Sequence, residues 1–158
     1  MAFNYTLPLR IAQALLAILV LGLMAYVVSE WNGPYGTWSP TEANFFLFVS
    51  VWTILAVAYL IVAPARFPTA AHKYGILAAE FITMLFWFAG FIAFAVLLTD
   101  WDCRSGSPCR SSQAAVVFGA FEWLLFAATT IMAALHVWRS RKSHSGKHDP
   151  NMQVHPSV

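Results

Sequence analysis

The chain has 158 residues, of which 59% are hydrophobic and 10% are charged, and its formal net charge is +2. A soluble domain carries about 25% charged residues, so this composition excludes an ordinary water-soluble protein. The sequence has no basic helix and no basic patch with interleaved aromatic residues, which excludes a nucleic-acid partner. We therefore expect one domain that is embedded in a membrane.

Four apolar segments are long enough to cross a bilayer as helices, since a transmembrane helix needs about 20 predominantly apolar residues. Backbone amides in lipid must be hydrogen-bonded within their own segment, which favours helices. The sequence predicts an all-α membrane protein, a four-transmembrane-helix bundle within residues 1–138. The predicted helices span about 11–29, 45–63, 75–98 and 115–138, and residues 139–158 are predicted to form a disordered basic tail.

Lys and Arg residues are distributed unevenly between the two ends of the predicted bundle. The end that holds both termini and the second loop carries Arg10, Arg66, Lys73, Arg139, Arg141, Lys142 and Lys147, and the other end carries Arg104 and Arg110. The positive-inside rule therefore predicts that both termini are cytosolic. The first helix then acts as an uncleaved signal anchor.

Three basic residues follow the fourth predicted helix directly. Arg139, Arg141 and Lys142 are predicted to contact anionic lipid headgroups of the inner leaflet, with about 1 kcal/mol of attraction for each residue near the surface. A stop-transfer signal that sets the topology would explain the same three residues.

The two cysteines, Cys103 and Cys109, both lie in the third loop, on the predicted non-cytosolic and therefore oxidising side. A disulfide between them would stabilise the fold by roughly 2–3 kcal/mol in the chain-entropy model. Two free thiols are the alternative. A metal site would need more ligands than this loop offers.

Two acidic residues, Glu80 and Glu122, lie inside predicted spans, where a charge costs at least ~2.5 kcal/mol at a helix centre. Each therefore needs a partner or a proton. At a rise of about 1.5 Å per residue, Gln13 lies at the depth of Glu80 and Arg10 lies one turn nearer the cytosol. We expect Arg10, Gln13 and Glu80 to form a polar clamp between the first and third helices.

Glu122 lies too far from Glu80 along the membrane normal for the two to pair. Ser50, Trp52 and Tyr26 are at a similar depth and are its predicted neighbours. The two acids could link helices, or they could form a proton or cation relay. A relay usually has more acids or histidines around broken helices, whereas these four spans contain no internal proline.

The chain resembles the small fungal tetraspan proteins of the MARVEL group, including those associated with eisosomes, over roughly residues 8–138. The resemblance rests on a basic residue opening the first helix (Arg10), an acid in the third (Glu80), and the runs at 86–90, 103–110 and 113–118. The short loop between the cysteines and an aromatic-rich first loop depart from the group's pattern. The wider group carries a basic residue in the first helix and an acidic residue in the third. In this chain they are Arg10 and Glu80, the two residues that the depth calculation also places close together.

The resemblance implies a non-enzymatic protein that organises sphingolipid-rich or sterol-rich domains of the plasma membrane, or acts in trafficking in the secretory pathway or vesicles. Homo-oligomers or other membrane proteins are further partners. Two alternatives remain: a small transporter or proton-coupled carrier that uses Glu80 and Glu122, and an accessory subunit of a larger membrane complex. The sequence has no nucleophile–base constellation, phosphate loop or metal-ligand cluster, so we expect neither catalysis nor a cofactor.

Overall fold

A computed structural model describes residues 3–33, 38–66, 73–101, 103 and 106–145. It consists of helices α1 (Phe3–Trp31), α2 (Thr41–Arg66), α3 (Lys73–Asp100) and α4 (Ser107–Ser145), and the described part of the chain contains no strand. Each of the four helices is long and apolar enough to cross a membrane. The prediction of an all-α protein with four spans is therefore confirmed.

The helices extend beyond the predicted apolar spans, because helical hydrogen bonding does not stop where hydropathy falls. The starts of α1 and α4 lie eight residues earlier than predicted. Pro108 is the second residue of α4, a position where its missing N–H is tolerated. Gly106 has a φ of 109°, a conformation that favours glycine, and it turns the chain into α4.

The end of α4 differs most from the prediction. Residues 139–145 are helical, although they belong to the segment that was predicted to be disordered. Arg139, Arg141 and Lys142 are good helix formers, and the first helix-breaking residue after them is Gly146. Residues 146–158 of the predicted tail lie outside the described residues.

The helices form an up-and-down bundle in which α1 and α3 each pack against both α2 and α4. The pairs α1–α3 and α2–α4 are therefore diagonal. We call the end that holds the starts of α1 and α3 the basic end, where Arg141 contacts Tyr74. The opposite end is the disulfide end, where Trp31 and Trp101 stack with ring centroids 3.7 Å apart.

Phe46 of α2 packs across the centre of the bundle. Its ring lies edge-on to Trp87, at 5.4 Å between centroids, and extends between the two glycines Gly90 and Gly119. A methyl group at Gly90 would lie 2.9 Å from Cδ2 of Phe46, and one at Gly119 would overlap Cζ. Glycine at these two positions therefore lets one aromatic ring join the diagonal helices α2 and α4.

Candidate functional site

The candidate site is built from the basic-end half of the inner face of α1. Residues spaced three or four apart on α1 are buried, since such spacing places them on one side of a helix. That buried face consists of Arg10, Gln13, Ala17, Val20, Met24 and Val27. Its first two members are polar, so α1 carries a cation and an amide into the interior of the bundle.

Arg10 forms an ion pair with Glu80 of α3 inside the bundle. Arg10 Nη2 donates to Glu80 Oε1, and Arg10 Nη1 donates to Gln13 Oε1 at 3.0 Å. Glu80 is fully buried and Arg10 is 6% exposed. The structure thus brings together the three residues of the predicted clamp, across a diagonal whose helices do not otherwise pack.

A fourth residue, Thr129 of α4, completes this group. Its hydroxyl donates to Glu80 Oε2 at 2.6 Å and accepts a hydrogen bond from Gln13 Nε2 at 3.5 Å. We call Arg10, Gln13, Glu80 and Thr129 the polar cluster. Sequence reasoning missed Thr129, because the depth calculation places it about 6 Å from the level of Glu80, nearer the centre of the membrane.

The polar cluster has the chemistry of a structural link. Both carboxylate oxygens of Glu80 have partners, and the positive charge of Arg10 balances its negative charge. Burying a pair of this kind costs desolvation free energy, but replacing only one of the two partners strongly destabilises the fold. Three helices are joined at one point, so the cluster sets the register of α1, α3 and α4 relative to one another.

Two tryptophan–threonine hydrogen bonds join α2 to α3 near the middle of the bundle. Trp87 Nε1 donates to Thr53 Oγ1 at 2.9 Å, and Trp52 Nε1 donates to Thr83 Oγ1 at 3.1 Å. Both threonine hydroxyls donate in turn to backbone carbonyls of their own helices. Polar groups in lipid need such partners, because no water is available to them.

Glu122 lacks the partners that were predicted for it. Within the described part of the chain, neither of its carboxyl oxygens has a hydrogen-bond partner, although the group is fully buried and lies near the backbone of Ala17. Ser50 instead donates to the carbonyl of Phe46, Trp52 donates to Thr83, and Tyr26 is 39% exposed. None of these three residues of similar depth therefore forms a hydrogen bond with Glu122, because depth along the membrane does not determine which face of a helix a residue occupies.

At the disulfide end, Cys103 and Cys109 lie at disulfide-bonding distance, with their Cα atoms 5.7 Å apart. Gln113, one turn after Cys109, donates to the carbonyl oxygen of Cys103 at 3.4 Å. The pair closes the connection between α3 and α4, so it determines how these two helices enter the loop.

At the basic end, the last turns of α4 extend past the start of α3, and they contain the basic residues Arg139, Arg141 and Lys142. Arg141 Nε donates to the hydroxyl of Tyr74 at 3.0 Å, and its guanidinium carbon lies 5.5 Å from the centroid of that ring. Arg139 and Lys142 are exposed. Within the described residues, no group of three His, Cys, Asp or Glu side chains could hold a metal ion.

The comparisons with known proteins agree with the resemblance seen in the sequence. The model of the MARVEL family, described as a membrane-associating domain, matches residues 2–132, which include the whole polar cluster and Glu122. An uncharacterized membrane protein of Saccharomyces cerevisiae is 26% identical over 152 residues, which cover 82% of this chain and 46% of that protein. The chain thus spans less than half the length of this relative. No solved structure matches the chain significantly.

Proposed function

Because the chain belongs to the MARVEL family of membrane-associating domains, we propose that it is a non-enzymatic tetraspan protein that organises lipid microdomains of the plasma membrane or acts in membrane trafficking. The family is described as one of membrane-associating domains and is not an enzyme family. In this proposal, the microdomains that the protein organises are rich in sphingolipid or sterol.

The observation that carries the proposal is the placement of polar and apolar groups in the bundle. All four helices expose large apolar side chains outward, among them Leu15, Leu55, Val96 and Ile131. The segments between the helices have nine, six and six residues (32–40, 67–72 and 101–106). Such short connections leave little of the chain between the helices outside the bilayer, which favours a role for the lipid-facing surface and the two ends of the bundle.

The polar cluster supports an organising role over a carrier role for Glu80. A carrier that moves a proton or a cation needs an acid whose partners can be exchanged. Both oxygens of Glu80 are instead engaged by Arg10 and Thr129 in a charge-balanced, buried arrangement. Glu80 therefore holds the bundle together, and a rigid apolar wall is what ordered lipid can pack against.

The basic end supplies the second contact with lipid in this proposal. The two termini face the cytosol, and the helical extension of α4 presents Arg139, Arg141 and Lys142 to anionic headgroups of the inner leaflet. Each cation contributes about 1 kcal/mol of attraction at the surface. The contact with Tyr74 holds Arg141 beside α3, so the charge is kept close to the bundle.

A fluorescent C-terminal fusion, imaged in living yeast cells before and after sphingolipid depletion, tests the proposal. We expect static patches at the cell surface that disperse on depletion, while a co-expressed single-span plasma-membrane marker keeps its distribution. An even or wholly intracellular distribution that ignores lipid depletion would contradict the organising role.

The same cells test the basic end. A variant with Arg139, Arg141 and Lys142 replaced by glutamine keeps good helix formers but loses three charges. We expect it to remain in the membrane with weaker patches. Arg110→Gln, which removes an exposed charge from the disulfide end, is the matched control and should leave the patches unchanged. If the patches of the triple variant were as intense as those of the wild type, the proposed binding of lipid headgroups by these three residues would be refuted.

A further inference from the structure

Glu122 differs from every other buried charged residue that the structure describes. The buried ionisable side chains in the described part of the chain are Arg10, Glu80 and Glu122. The first two neutralise each other within the polar cluster. Glu122 is just as inaccessible, but both of its oxygens are without a hydrogen-bond partner.

Among the residues that the structure describes, the helices that pack against α4 offer Glu122 no counter-charge. On α1, Arg10 is already engaged at the basic end, while Glu30 lies at the far end of the helix and is exposed. On α3, the buried ionisable residue is Glu80, which bonds to Thr129. Since Thr129 follows Glu122 by seven residues, at about 1.5 Å each, the polar cluster lies about 10 Å away along α4.

A carboxylate without a counter-charge or hydrogen-bond donors is far too costly to bury in hydrocarbon. A neutral carboxylic acid avoids this cost while it keeps the same size and shape. We propose that Glu122 is a proton-binding site that is occupied in the closed bundle, where the neutral acid packs against α1 at Ala17. This proposal does not depend on the organisation of lipid domains.

The site has a specific place in the bundle. It lies at the contact between α1 and α4, and the hydrogen bond from Gln13 to Thr129 joins the same two helices nearer the basic end. Loss of the proton would leave an unpaired charge in this contact, so α1 and α4 would have to separate locally or admit water. The proton at Glu122 thereby keeps the two helices in contact, a role distinct from that of the ion-paired Glu80.

Carbon-13 spectroscopy of the full chain, with its four glutamates labelled at the side-chain carboxyl carbon, tests the proposal in detergent or bilayers. At neutral pH we expect one of the four carboxyl resonances at the position of a neutral acid and three at the position of a carboxylate. Infrared spectra should show the matching carboxylic-acid carbonyl band, with a shift to lower frequency in heavy water. Four carboxylate resonances in the folded wild-type protein would overturn the proposal without the need for any variant.

Variants assign the signal. Glu122→Gln keeps a neutral group of the same shape, so it should fold as the wild type does and lose the neutral-acid signal completely. Glu30→Gln and Glu42→Gln should retain that signal, since they alter carboxylates that are not buried. A neutral-acid signal that persists in folded Glu122→Gln would place the proton on another glutamate and refute the assignment.

Discussion

Removal of one charge from the Arg10–Glu80 pair leaves the other buried without compensation. Arg10→Met takes the cation from Glu80 and a donor from Gln13, while Thr129 still donates to the carboxylate. Glu80→Met leaves the guanidinium with Gln13 alone. Because breaking a buried pair at one side typically costs about 3–5 kcal/mol, we expect each single variant to lose that much free energy of unfolding.

The double variant Arg10→Met/Glu80→Met should be much less damaged than the sum of the single variants. Additive effects would total about 6–10 kcal/mol, twice the cost of one broken pair. With both charges gone, however, the hydrogen bond from Gln13 to Thr129 remains, and the unpaired group is the Oε1 atom of Gln13. Leaving one such neutral group unsatisfied costs about 1–3 kcal/mol, which is the loss we expect for the double variant.

Equilibrium unfolding in mixed detergent micelles, followed by helical circular dichroism, measures the free energy of unfolding of the wild type, the two single variants and the double variant. Glu30→Gln, which removes an exposed charge on α1, is the matched control and should change the free energy of unfolding by less than about 0.5 kcal/mol. Single variants that lose no more stability than this control, or a double variant whose loss equals their sum, would refute the reasoning that the pair is buried and coupled.

Two further predictions concern the centre and the disulfide end of the bundle. Gly119→Ala should destabilise the fold by about 2 kcal/mol, because the clash of the new methyl group with Phe46 costs about 3 kcal/mol and the higher helix propensity of alanine returns about 1 kcal/mol. Gly22→Ala is the control and should not destabilise the fold, because nothing lies within 4 Å of the added methyl group. Thermal melting of the two variants decides this, and equal melting temperatures would contradict the clash. Replacing Cys103 and Cys109 by serine should cost about 2 kcal/mol, and a thiol reductant should lower the stability of the wild type to the same value without affecting the double variant.

The four spans could be predicted from the sequence because the bilayer imposes a single strong requirement. A segment must be long, apolar and internally hydrogen-bonded, and that requirement does not depend on its neighbours. The depth of a residue in the membrane follows from the same regular rise. Depth is what selected Arg10, Gln13 and Glu80 as one group, and the side chains of these three residues are in contact in the structure.

The rotation of each helix about its axis could not be predicted in this way. Large apolar side chains lie both on the core faces and on the lipid faces of the helices, so an apolar pattern does not show which face points toward the core. Glu122 shows the consequence, since Ser50, Trp52 and Tyr26 have a similar depth but none of them forms a hydrogen bond with it. Thr129 shows the converse: its predicted depth differs from that of Glu80 by about 6 Å, yet the packing of α4 on α3 brings its hydroxyl to 2.6 Å from the carboxylate.

The sequence by itself therefore determined the class of the protein, the number of its spans, and the depth of each polar residue within them, because these depend on local composition and helical rise alone. The tertiary structure decided which of those residues meet. It placed α1 opposite α3, so that a cation and an acid on the diagonal pair with the help of Thr129. It also turned Glu122 toward α1, where no counter-charge among the described residues reaches it, because helix packing and not hydropathy sets the direction of a side chain in lipid.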